Sequence, residues 1–118
     1  MKKKKIWSIL AIILQTTLCF GSQSMPQISM VWETKPVFQT PEAVLYDAKR
    51  DVLYVSNYRN TDLDKSGEFL SKVDPSGRVV KLKWITGLKG PAGLAIYRDK
   101  LYVVERGNLV CIDIDQSS

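Results

Sequence analysis

The chain has 118 residues, enough for one small domain, and a formal net charge of +5. Lys2, Lys3, Lys4 and Lys5 carry four of those charges, so the remainder sits at about +1 and offers no basic patch for nucleic acid. Histidine is absent, which excludes zinc–histidine sites and histidine-based triads within these residues.

Lys2 to Lys5 form a positive head. Ile6 to Phe20 is an apolar stretch interrupted by Ser8, Gln15, Thr16 and Thr17, and Gly21 to Ser24 is small and polar. This is the layout of a secretory signal peptide over residues 1–21, with cleavage after Gly21 or after Ser24 both fitting. The apolar stretch of fifteen residues is short of the roughly 20 that a spanning helix needs. An uncleaved anchor is one alternative. A lipoprotein anchored at Cys19 is another, although Thr16 and Leu18 stand where a lipobox wants an aliphatic and a small residue. The expectation is export, periplasmic or secreted, with no stable membrane span after cleavage. Cys111 is then the sole cysteine; it makes no internal disulfide, and its apolar strand context reads as packing.

Beyond the signal, the apolar runs are short, β-branched and aromatic, and turn residues separate them. Ile28–Trp32, within a segment 28–33, is a first strand candidate. Pro36 and Pro41 bracket a linker. Strands are then expected over Glu42–Tyr46, Val52–Ser56, Phe69–Val73 and Val79–Ile85, as one up-and-down sheet. Asp47–Asp51 and Asp74–Arg78 are turns, the second with Pro75 and Gly77 placed for a tight reversal. Ala43–Tyr46 and Val52–Val55 are nearly continuous apolar runs, as in strands covered on both faces. Val80, Leu82 and Trp84 alternate with Lys81 and Lys83, as in a strand with one wet face. Three further strands are expected over Gly93–Tyr97, Leu101–Glu105 and Leu109–Ile114.

These strands repeat. The pattern from Thr40 to Asp74 returns from Gly90 to Asp113, with Pro41 and Pro91 fifty residues apart and Tyr54 and Tyr102 at equivalent positions. A period of roughly 40–50 residues built of short strands is the mark of propeller blades. The fold class is therefore all-β, an incomplete β-propeller: a first blade over 40–89 and an incomplete second blade over 90–118, about 1.75 blades in all. The chain reads as part of a longer propeller, or as the product of a truncated reading frame. In closed propellers a terminal strand often completes the blade from the other end of the chain, and Ile28–Trp32 is placed for that role. Open strand edges of this kind invite self-association. Tyr54, Tyr102, Trp84 and Trp32 read as packing residues.

Pro41-Glu42-Ala43-Val44-Leu45-Tyr46-Asp47, five residues before a Leu-Tyr-Val strand, resembles the opening blade of the senescence-marker-protein (regucalcin) and gluconolactonase family. Leu70–Gly77 resembles that family's strand and following turn, while Gly90–Ala95 and Leu101–Val103 fit it and the related NHL-repeat propellers about equally. The resemblance covers residues 40–115. It implies a six-bladed propeller with a divalent metal, calcium by the hardness of its oxygen ligands, near the mouth of the central channel. It further implies hydrolysis of a sugar lactone or ester by a full-length parent, with the metal polarising the carbonyl or activating water. Glu42 stands where the family's opening-blade glutamate ligates the metal. The family's asparagine and aspartate ligands come from later blades, so this chain carries no complete site and is expected to be inactive alone. Ala43 stands where the enzymes have glycine, which leans toward the NHL-like alternative, a non-catalytic propeller binding peptide or glycan. A solvated or turn-bonding acid is the plainer reading of Glu42.

Residues 57–68 form a long link that the second repeat replaces with Arg106-Gly107. Asp62-x-Asp64-x-Ser66-Gly67 matches the first half of a calcium loop, but the closing glutamate should fall at Val73. A polar loop is the favoured reading, with Asp62 and Asp64 as secondary metal-ligand candidates. Propeller topology puts Glu42, Asn57, Tyr58, Asp62, Asp64, Glu105 and Arg106 on one rim, and the turns 47–51, 74–78 and 98–100 on the other.

Overall fold

The computed structural model describes residues 24–58 and 67–117. The signal-peptide reading and Cys19 fall outside them, as do Asp62 and Asp64. Seven strands follow in chain order: β1 Pro41–Asp47, β2 Val52–Asn57, β3 Glu68–Val73, β4 Val79–Leu88, β5 Leu94–Tyr97, β6 Lys100–Glu105 and β7 Asn108–Asp113. They form two antiparallel sheets, a first of order β1-β2-β3-β4 and a second of order β5-β6-β7. The described residues contain no helix.

Turn chemistry sets the register. Tyr97 pairs with Lys100, and the two residues between them, Arg98 and Asp99, both have positive φ, at 46° and 62°. That is the type I′ geometry whose twist matches the flanking strands. The β3–β4 turn is organised by Asp74. Its Oδ1 accepts from Ser76 N at 3.0 Å and Arg78 N at 3.0 Å, and its Oδ2 accepts from Arg78 Nε at 2.8 Å. Gly77 closes the turn at φ 88°.

The two sheets bury a common core. Tyr54, Leu70 and Trp84 of the first sheet meet Leu101, Val103 and Ile112 of the second, with Ile114 beyond β7. The rings of Tyr54 and Trp84 stack at 4.9 Å, and Lys72 Nζ lies 4.1 Å from the centre of the Trp84 ring. The inner strands β1 and β5 approach one another, and Ser56 Oγ of β2 donates to Ala92 O, just before β5, at 2.9 Å. At the outer side Trp84 Nε1 donates to Ser117 O at 2.8 Å, tying the residues after β7 to β4.

The contact joins inequivalent faces of the repeat. Leu45 and Tyr54 of the first sheet look toward the second. Their repeat counterparts, Ala95 and Tyr102, lie on the far side of the second sheet, because Leu94, Ile96, Leu101 and Val103 are the ones that look back. The sheets thus follow one another in the same sense, rather than meeting by equivalent faces.

Two expectations are corrected, and Ile28–Trp32 forms no ladder with the described residues, Ile28 being 99% exposed. An apolar run becomes a strand only when an edge is there to pair with it. Instead, Trp32 lies on the β3–β4 turn, so close that a Cβ on Gly77 would stand 2.7 Å from its ring. β1 is not covered on both faces; Val44 and Tyr46 are exposed while Leu45 packs inward. In β4 the expected alternation breaks, because Leu70 pairs with Ile85 but Lys72 pairs with Lys81. The extra residues form a bulge. It turns Trp84 to the core, whereas Leu82 lines a cleft with Val37, Gly77 and Val79 on the other face.

Gly77 is held by both its φ and its neighbour, whereas a Cβ at Gly87, at φ 80°, would meet nothing. Gly77→Ala is therefore expected to cost about 2–3 kcal/mol in urea unfolding and Gly87→Ala about 1 kcal/mol. In a Trp32→Ala background the Gly77→Ala cost should fall to that of Gly87→Ala; an undiminished cost would show that Trp32 does not occupy this place.

Candidate functional site

Strand polarity gathers one set of ends at a single rim: Pro41 pairs with Asn57, Glu68 with Leu88 and Glu105 with Asn108. Glu42 sits here on an irregularity. Pro41 is opposite Asn57 and Ala43 is opposite Ser56, which leaves Glu42 as the extra residue of a bulge. Bulges re-aim side chains and recur at binding sites. Glu42 is exposed and makes no hydrogen bond or ion pair to the described residues. The second repeat has the same irregularity: Val104 accepts from Ala92 N and donates to Gly93 O, both at 2.9 Å. Ala92 occupies the place that Glu42 holds in the first repeat.

Two residues before each bulged residue the backbone has positive φ, 36° at Thr40 and 65° at Gly90. Glycine takes this conformation freely, while a β-branched threonine is strained in it. Gly90 also leaves room for neighbours, since a Cβ there would stand 3.1 Å from both Tyr58 and Arg106. The Arg106 guanidinium lies 5.3 Å from the centre of the Tyr58 ring and donates to the Tyr58 hydroxyl, so the two repeats meet at the rim through a cation–aromatic pair.

The other polar groups of this rim are engaged in the scaffold. Glu68 Oε2 accepts from Gly90 N and Glu105 Oε1 accepts from Lys89 N, each at 2.8 Å. Asn57 turns inward and is fully buried. Its Nδ2 donates to Ser71 Oγ at 3.0 Å and its Oδ1 accepts from Gln39 N at 3.0 Å. It was expected to share the rim with Glu42, Tyr58, Glu105 and Arg106; its backbone lies there, but its side chain serves the core.

Calcium takes six or more oxygen ligands. Among the described residues no group of three or more histidine, cysteine, aspartate or glutamate side chains could hold a metal. Glu42 is a single carboxylate, and Glu68 and Glu105 already accept backbone N–H groups. The described rim residues do not by themselves fit a metal centre.

The strongest charge cluster lies on the opposite rim, where the sequence reads only as solvated turns. Arg50 donates to Asp47 Oδ2 at 2.9 Å, to Asp99 Oδ1 at 3.1 Å and to Asp115 Oδ1 at 2.7 Å. Asp47 belongs to the first sheet, and Asp99 and Asp115 to the second, so one guanidinium clamps both. Burial opposes ionisation of Asp47, but its hydrogen bonds from Arg50 and Lys49 outweigh this and hold its pKa below the ordinary 3.8. Lys49 and Arg50 likewise lower that of Asp99. Burial and the Asp47 charge push the Tyr54 hydroxyl up to about 12, and it donates to Asp47 Oδ2 at 3.3 Å. Every carboxylate in this cluster is paired with a cation, which leaves no free acid or base.

Comparison with protein-family models, with curated proteins and with solved structures found no match. Among the described residues no helix is long and apolar enough to cross a membrane.

Asp47 is buried whereas Asp115 is 60% exposed at its side chain. Asp47→Ala should cost about 3 kcal/mol and Asp115→Ala less than about 1 kcal/mol. Because the folded pKa of Asp47 is depressed, its stabilisation is present above the unfolded value and lost as the pH falls through the folded one. Denaturant midpoints between pH 6 and about 3 should therefore fall less steeply in Asp47→Ala than in the parent chain. Thr40→Gly should raise stability by about 1 kcal/mol; a fall would show that Thr40 is not strained.

Proposed function

We propose that the two sheets are successive blades of an exported β-propeller of the regucalcin and gluconolactonase-like kind, and that the Glu42 rim is its ligand-binding face. The observation that carries this reading is the stacking by inequivalent faces. A sandwich of two related halves would bring equivalent faces together and finish there. Stacking in one sense repeats the same relation from sheet to sheet, as blades do around a channel. The shared bulge supports the rim assignment, because it holds one side chain per repeat clear of the ladder, Glu42 in the first and Ala92 in the second.

Within this reading Glu42 supplies one carboxylate to a divalent-cation site that is completed by further blades of a full-length parent. Such a cation would supply carbonyl polarisation or water activation for a sugar lactone or ester. This chain alone supplies no second ligand among its described residues, so it is proposed to be inactive as a hydrolase.

A second reading, a non-catalytic NHL-like rim that binds peptide or glycan, is favoured by the Tyr58–Arg106 pair. An aromatic ring under a guanidinium, placed where two repeats meet, is a surface for a polar ligand and not a hydrolytic site.

Isothermal calorimetry of the chain with calcium should give no saturable heat, and Glu42→Gln should leave the trace unchanged. A saturable calcium isotherm abolished by Glu42→Gln, or lactone hydrolysis by the chain, would overturn the incomplete-site proposal. Tyr58→Ala and Arg106→Ala should each weaken any glycan or peptide captured on an array at least tenfold under the second reading; undiminished capture would remove the pair from it.

A further inference from the structure

We propose that Lys72 and Lys81 form an anion site on the face of the first sheet that looks toward the second, suited to a phosphate or sulfate group. The inference stands apart from the ligands proposed for the Glu42 rim.

The pair breaks a rule of strand pairing. Lys72 of β3 is directly opposite Lys81 of β4. Cross-strand partners share a face, and like charges placed so are destabilising. Register irregularities lie on both sides of Lys72, between Leu70 and Lys72 and between Lys72 and Val73. Neither flanking register would give this pair. An even ladder continued from Leu70–Ile85 would set Lys83 opposite Lys72, and one continued from Val73–Val79 would set Val80 there. Irregularities of this kind re-aim side chains and recur beside functional sites. A locally unfavourable choice made by the backbone itself is also where function is to be sought.

Among the described residues no carboxylate compensates the pair. Tyr54, Lys72 and Lys81 lie in one row across β2, β3 and β4, so both ammonium groups belong to the side on which Tyr54 packs. The acids gathered between the sheets are committed elsewhere: Asp47, Asp99 and Asp115 all bond to Arg50. Neither Lys72 nor Lys81 makes an ion pair with a described residue. Lys72 is half-buried, and its Nζ lies 4.1 Å from the centre of the Trp84 ring, which is itself stacked on Tyr54. That aromatic seat holds the ammonium in place and offsets part of its desolvation, but it supplies no counter-charge. Burial, then the charges of Lys81 and Arg50, hold the Lys72 pKa below the ordinary 10.5, so each charge acting on it is positive. Lys81 is exposed, which leaves the pair open to solvent. An oxyanion set between the two ammonium groups would accept a charge-assisted hydrogen bond from each. Two separate point-charge donors suit a tetrahedral dianion. A free ion and the same group carried on a sugar share this chemistry.

The test is isothermal calorimetry of the full chain with inorganic phosphate and with glucose 6-phosphate, against chloride at equal ionic strength. A saturable phosphate isotherm with Kd of about 1 mM is expected, as two charge-assisted hydrogen bonds would give. Lys72→Gln and Lys81→Gln should each weaken it at least tenfold. Lys83→Gln removes the same charge from β4 at the Phe69 ring, on the other face, and should leave it unchanged. Equal affinity for the two probes would assign the site to the free ion, and tighter binding of the sugar phosphate to the carried group. Urea unfolding at the exposed Lys81 gives a second readout. Without phosphate, Lys81→Gln should raise the midpoint by relieving the repulsion; added phosphate should raise the midpoint of the parent and not of the variant. Absence of saturable heat, heat reproduced by chloride, or equal losses in Lys81→Gln and Lys83→Gln would overturn the site. So would a phosphate effect on unfolding that survives Lys81→Gln. None of these variants alters Glu42, so the calcium test of the rim can fail or succeed independently.

Discussion

The structure depends on one contact, the stacking of the second sheet on the first through inequivalent faces. Tyr54, stacked on Trp84 and bonded to Asp47, stands at its centre. Everything else is arranged to hold that contact. Ser56 of β2 bonds to Ala92 just before β5, Trp84 of β4 to Ser117 beyond β7, and Arg50 spans the turn rim. Burial of an apolar face gives little orientation by itself, since it is non-directional. The directional bonds around the edge fix how the sheets sit.

Two rims result, with different uses of charge. At the turn rim, carboxylates are drawn into a largely enclosed guanidinium and become structural. At the other, Glu68 and Glu105 cap backbone N–H groups, and among the described carboxylates of this rim Glu42 alone is held away from the ladder by a bulge. The same residue type is spent on cohesion in one place and left available in another. Backbone geometry makes the difference, not local composition.

The strands from Glu42 onward were legible because each lies between turn residues with strong local chemistry, as at Asp74-Pro75-Ser76-Gly77. What escaped was set by partners distant in sequence. Arg50 meets Asp115 across 65 residues, and no local pattern announces that pairing. Asn57 ends a strand and reads as a rim group, yet Ser71 and the Gln39 amide draw its side chain inward. Ile28–Trp32 has the composition of a strand, but composition cannot supply an edge. Within β4 the composition alternates, but the bulge that breaks the alternation and separates Leu82 from Trp84 depends on Leu70 and Lys72 in the facing strand. At the candidate site, the rim position of Glu42 was legible from its place at a strand start, and its bulge was not. The Tyr58–Arg106 pair was legible only as two residues on one rim, since the contact depends on Gly90 lying between the repeats.

The recurring bulge has a consequence for how such a chain can change. Glu42 and Ala92 sit at the same point of the same backbone irregularity, and neither side chain belongs to the core. The position works as a socket: whatever residue stands there is presented to the rim, while the ladder and the packing beneath it stay as they are. Acid, amide or methyl can be exchanged one repeat at a time, so the chemistry of the face can drift while the stack that supports it remains fixed.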